Sequence, residues 1–170
     1  MATTKGTVPV RGVAHDRFSV WVGDWHAEGE SYASGQVESD PRGSVETWVS
    51  DESIAWLPGH FFIARRTDGR VGSRAVSGLD VFSVDPDTGA YTTRGYENHG
   101  FLRDYVTRVD GAVWTFTGET ERARVEFSED GDTQTVCWEW RKPGGVWLPL
   151  CDRVARRVRA RISDPPAAEA

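Results

Sequence analysis

Eight clusters of turn-forming residues punctuate this chain at short, regular intervals: SDPRG (39–43), LPG (57–59), TDGR (67–70), DPDTG (85–89), ENHG (97–100), VDG (109–111), EDGD (129–132) and KPGG (142–145). Each combines Gly, Asp, Asn or Pro in ways that supply a positive φ or a side-chain-to-backbone turn. Between them lie short segments rich in Val, Thr, Phe, Trp and Tyr: SVETWVS, HFFIARR, VSGLDVFSV, AYTTRGY, FLRDYVTRV, AVWTFTG, RARVEFS, TQTVCWEW and VWLPLCDRVARRV. Most alternate apolar and polar residues, the period of a strand with one face inward. With a further strand after Trp25, about ten strands are predicted at the 8–12-residue spacing of an all-β barrel or sandwich. No strand–helix–strand alternation occurs, which excludes a parallel sheet.

Consecutive antiparallel strands must close or leave edges exposed, and closure removes that liability. The expected fold is therefore an all-β, antiparallel up-and-down barrel of about ten strands, wide enough to hold a small ligand. One short helix is expected in HDRFSVWVG, where Phe18, Trp21 and Val22 fall at i, i+3 and i+4 before Gly23 stops it. In the strand that follows, Trp25 shares a face with Ala27, Gly29 and Ser31. A large plug followed by small residues leaves room above it, so the barrel should be hollow. Residues 1–14 read as a flexible lead-in, 15–160 as the barrel domain and 161–170 as a disordered, Pro-interrupted tail.

Composition narrows the function classes. With 38% hydrophobic residues and eight Trp, 170 residues suffice for one core. The net charge of −6 disfavours a nucleic-acid surface. Of twenty cations, only Lys5 and Lys142 are lysines, and the Arg excess reads as ordinary surface use. No stretch reaches the ~20 apolar residues of a membrane helix, and no signal peptide is recognisable, so a cytoplasmic protein is expected. Cys137 and Cys151 flank the turn at KPGG, and both are read as free and buried because the cytosol keeps thiols reduced.

The densest polar stretch, TTRGYENHGFLRDY (92–105), should form a hairpin at a barrel mouth. Glu97 and His99 could act there as an acid–base pair, with Tyr96 and an Arg as electrophilic partners. The alternative is structural: Glu97–Arg103 and Arg94–Asp104 as cross-strand ion pairs. His60 and Arg65 lie in WLPGHFFIARR, whose two faces both carry aromatics and a cation. Asp80 interrupts the apolar GLDVFSV; turned inward it would be a buried carboxylate in need of a partner. Trp138 and Trp140 share a strand face and could stack on a flat ligand or simply fill a core. The candidate catalytic residues are thus Glu97, His99, His60 and Tyr96, and the candidate ligand-binding residues Trp25, Arg65, Asp80, Asp104, Trp138 and Trp140. No metal-ligand spacing, nucleophile elbow, phosphate loop or dinucleotide fingerprint is present.

The order of HDRFSVWVGDWHAEG, GLDVFSVDPDTGAYTTRGYENHG and WEWRKPGGVWLP resembles an uncharacterised bacterial lipocalin-like (calycin-type) β-barrel family, over roughly residues 15–158. The resemblance implies a fold and no activity. It also implies that an Arg of the last strand, here Arg153, lies across the first-strand Trp. A related haem-binding barrel family opens with Gly-x-Trp-x-Gly and uses a C-terminal His as axial ligand. Here Ala27 stands for the second Gly, and His15, His26, His60 and His99 all lie in the first part of the chain. No cofactor is therefore expected. Three readings remain: a barrel binding a small hydrophobic or aromatic molecule, a cofactor-independent acid–base enzyme (isomerase, cyclase, dehydratase or lyase), and a filled barrel that binds proteins. The first is favoured, with no membrane or nucleic-acid partner expected and a homodimer left open.

Overall fold

The computed structural model describes residues 8–159. Ten strands follow one another: β1 (Gly23–Ser31), β2 (Glu46–Trp56), β3 (Ile63–Val71), β4 (Arg74–Val84), β5 (Tyr91–Glu97), β6 (Leu102–Asp110), β7 (Val113–Thr117), β8 (Glu121–Phe127), β9 (Thr133–Trp140) and β10 (Leu148–Arg157). Each pairs antiparallel with its sequence neighbour, and β1 also pairs with β10. The sheet is a closed up-and-down barrel of ten strands, as the turn spacing predicts. A single turn of helix, α1 (Val13–Asp16), continues into a 3-10 turn (Arg17–Val20) before β1. The helix thus starts inside the segment read as lead-in, whereas the tail at 161–170 lies outside the described residues. Among the described residues no helix is long and apolar enough to cross a membrane.

Two local expectations are corrected. TDGR (67–70) is no turn: it lies within β3, and the chain reverses at Gly72–Ser73, where Gly72 has φ of 58°. A two-residue hairpin connection needs that positive φ, which VGS supplies and TDGR would supply only by shortening both strands. Cys137 is exposed, while Cys151 is buried. Cys151 pairs with Trp138, and Asp152 with Cys137. The two thiols are therefore one register step apart and point to opposite sides of the wall, which also keeps them from a disulfide.

The helical segment before β1 determines which end closes. Phe18 and Trp21, 1% and 0% exposed, enter the end of the barrel where β1 begins. The Trp21 ring lies 4.9 Å from Phe127, 5.2 Å from Phe82 and 5.6 Å from Trp114. Burying each such ring contributes about 2 kcal/mol or more. Trp25, expected to plug this end, is one member of the plug; its indole N–H donates to the Trp21 carbonyl at 2.8 Å.

Arg157 fastens this plug to the last strand. It is the direct register partner of Trp25, and its guanidinium lies 4.2 Å above that indole. It also donates to the carbonyls of Val22 (2.5 Å), Val20 (2.9 Å) and Gly131 (2.9 Å) and to Asp132 Oδ1 (3.0 Å). The resemblance assigned this position to Arg153, but the register places Arg153 opposite Gly29, four residues further along β1. Gly23, at φ of 135°, makes way for Arg157, whose Nη1 would lie 2.6 Å from a Cβ at that position.

Candidate binding cavity

The end opposite the plug remains hollow, with a cavity of about 460 Å3. Its depth follows from small residues on the inward face of β1. Gly29 has Arg153 of β10 on one side and Trp48 of β2 on the other as direct register partners. With no side chain between them, the Arg153 guanidinium reaches across to lie 4.4 Å from the Trp48 ring. A Cβ on Gly29 would fall 2.0 Å from the Asp152 carbonyl oxygen, so the two strands can approach this closely only at a glycine.

The interior is charged and paired. Along one rung, Ile54, Arg65, Asp80, Gly95 and Arg103 are successive register partners across β2 to β6. Arg65 donates from Nε (3.0 Å) and Nη2 (2.8 Å) to Asp80 Oδ2, and its Nη1 lies 3.8 Å from Glu52. Burial works against the Arg65 charge, but the Asp80 and Glu52 carboxylates outweigh it and hold the proton more tightly than usual. Gly95 leaves space for Asp80, whose Oδ1 would sit 2.5 Å from a Cβ there.

A second group continues from this rung along β6 to β8. The Tyr105 hydroxyl donates to Glu121 Oε2 at 2.9 Å, and Arg103 holds Glu121 Oε1 at 2.8 Å and Glu97 Oε1 at 2.9 Å. Burial raises the Glu121 carboxyl above its ordinary range, with Arg103 and Tyr105 opposing the shift in part. Burial raises the Tyr105 phenol as well, reinforced by the Glu121 charge.

The sequence-predicted residues divide by which end of the barrel carries them. Arg65, Asp80, Trp138, Glu97, His99 and Tyr96 all line the cavity, the last three at its rim. The Glu97–Arg103 and Arg94–Asp104 ion pairs also form, and among the described residues no hydrogen bond joins Glu97 to His99. Asp104 points outward to Arg94, whose guanidinium keeps the carboxyl below its usual range. Trp140 donates to Gln36 Oε1 at 2.7 Å beneath the β1–β2 loop. Trp25 is 1% exposed within the plug. His60 sits in the loop between β2 and β3 at the plugged end, at φ of 58°, with its ring stacked on Trp56.

The cavity includes residues that the sequence reading passed over. Glu52 and Trp48 alternate inward along β2 with Ser50 and Ile54, a period-two signal in TWVSDESI that the predicted strand missed by ending at Ser50. Glu121 opens β8 just before the inward Ala123 and Val125. Among the described residues, no group of three or more His, Cys, Asp or Glu side chains is placed to hold a metal ion.

No protein-family model matches the chain, and no curated protein matches it in sequence. Solved structures do resemble it. Rv2717c from M. tuberculosis superposes with a TM-score of 0.63 at 15% identity, covering 88% of this chain and 100% of that one. The S-type phycobiliprotein lyase CPES from Guillardia theta superposes with a TM-score of 0.59 at 13% identity, covering 89% and 96%. The fold is that of a lipocalin-like barrel. At these identities the likeness extends to the fold alone, so the chemistry of this lipocalin-like barrel rests on its own cavity.

Proposed function

We propose that this lipocalin-like barrel binds a small aromatic or hydrophobic organic molecule inside its open end. The observation that supports this reading is the cavity itself, about 460 Å3, with Trp48, Trp138 and Tyr105 on its walls and paired charges at fixed positions. Apolar lining with a few placed polar groups is the usual construction of a small-ligand site. A filled barrel, the protein-binding reading, would leave no such volume. That a phycobiliprotein lyase is built on the same fold agrees with a barrel that handles an organic guest, but adds nothing about which guest. The test is quenching of intrinsic tryptophan fluorescence by a library of aromatic metabolites. Saturable quenching with one-to-one stoichiometry supports the reading, and its absence across neutral, anionic and cationic members would defeat it.

A second reading, acid–base catalysis on the bound guest without a cofactor, is favoured by one observation. Glu121 is a partly buried carboxyl of raised proton affinity, hydrogen-bonded to Tyr105 and facing the cavity. Such a group can hold a proton and pass it to or take it from a bound guest. In this reading Glu97, His99 and Tyr96 assist at the rim. Once a guest is identified, turnover that survives Glu121→Gln unchanged would remove this carboxyl from any mechanism.

A further inference from the structure

The ion pairs of the cavity are unequal. Arg65 and Arg103 each meet a carboxylate oxygen at 2.8 Å. Arg153, with a side chain only 6% exposed, reaches Glu52 Oε1 at 3.4 Å and no closer. Nη1 is its one guanidinium nitrogen that finds an acceptor among the described residues, and Nε is buried with none. A buried cationic donor without a partner is costly, and native proteins leave few such groups unexplained. Glu52 does not complete the pairing, since it is shared with Arg65 at 3.8 Å.

The unused edge, Nε with Nη2, is the fork that matches the two oxygens of a carboxylate. The guanidinium plane is held in place by the Trp48 ring 4.4 Å away, and both residues line the cavity. A flat ring entering the mouth therefore meets aromatic surface on Trp48 and Trp138, beside the unpartnered edge of Arg153 over Gly29 of β1.

We propose that the Arg153 fork receives the carboxylate of an aromatic guest, so the barrel selects aromatic acids over their neutral counterparts. This deepens the binding reading and rests on it. Glu52 acts as a positioning residue: it holds Nη1 and leaves the other edge of the guanidinium directed at the guest.

The probes are naphthalene-2-carboxylate and its neutral isostere naphthalene-2-carboxamide, titrated calorimetrically into wild type, Arg153→Met and Arg153→Lys. Wild type should bind the carboxylate at least about tenfold more tightly than the amide, because a charge-assisted bidentate pair is replaced by a neutral contact. Arg153→Met should bind both probes equally, and Arg153→Lys should recover part of the preference. Equal wild-type affinities, or a preference that survives in Arg153→Met, would overturn the inference while leaving the binding reading intact. Failure of wild type to bind either probe would overturn the inference, and the metabolite library then decides the binding reading. The wild-type comparison stands even if a variant fails to fold.

Discussion

Arg157 ties the plug to the last strand, and Arg157→Met measures how strongly. Methionine keeps an unbranched apolar stem over Trp25 and removes only the guanidinium. The variant loses a cation–π contact at 4.2 Å, worth about 0.5–2 kcal/mol. It also leaves the carbonyls of Val20, Val22 and Gly131 without their charged donor. Some of these acceptors will recover water, so together they add about 2 kcal/mol rather than the full value for three buried groups. The sum is about 3 kcal/mol, which for a domain of this size lowers Tm by roughly 6–12 °C. Urea unfolding followed by tryptophan fluorescence supplies the free energy, and calorimetry the Tm. The neighbouring Arg156 is exposed on the outer face, so Arg156→Met should change stability by less than about 0.5 kcal/mol. If Arg157→Met costs no more than Arg156→Met, the plug is held by apolar packing alone and the stapling argument is wrong.

Three further outcomes follow from the same geometry. Gly29→Ala should destabilise by about 2–3 kcal/mol in urea unfolding, because its Cβ meets the Asp152 carbonyl oxygen at 2.0 Å; a neutral result would mean that β1 and β10 can separate freely. In the native protein Ellman's reagent should label one thiol, Cys137, since Cys151 is buried and its pKa is pushed up by desolvation to about 11; rapid labelling of both would contradict this placement. Burial raises the Glu121 carboxyl, so the folded state binds that proton more tightly than the unfolded chain. This share of stability is complete below the ordinary glutamate range and fades as pH rises through the raised value. Glu121→Gln should therefore gain on wild type as pH increases from about 4.5 to 7.5, and a difference in stability that does not vary with pH would exclude the shift.

The fold was legible because turn chemistry and period-two alternation agree along almost the whole chain, so strand number and closure followed without any long-range information. TDGR misled because Asp-Gly is a turn signal only when no longer strand competes for it, and the β2–β3–β4 ladder does. The sequence leaves Asp80 open between the inward and the outward face, and the register decides it by setting Asp80 beside Arg65 on the cavity wall; Glu97 and His99 follow from a hairpin that has to reach a barrel mouth. His60 could not be placed: whether a loop lies at the plugged or the open end depends on counting every reversal before it. Arg153 and Arg157 are alike in sequence, and only the pairing of Trp25 with Arg157 decides which reaches the plug and which faces the cavity. Glu52 and Glu121 were missed because inward charges are the exception to the pattern that identifies strands.

Residue-specific NMR reads out whether a guest sits between Trp48 and Trp138 at the open end. Naphthalene-2-carboxylate is titrated into 15N-labelled protein while the indole N–H resonances are followed. Saturable shifts are expected at Trp48 and Trp138, with Trp21 and Trp25, sealed in the plug, left unmoved. Shifts confined to Trp147, which packs outside the cavity against Arg122 and Arg141, or none that saturate, would contradict a guest in the cavity.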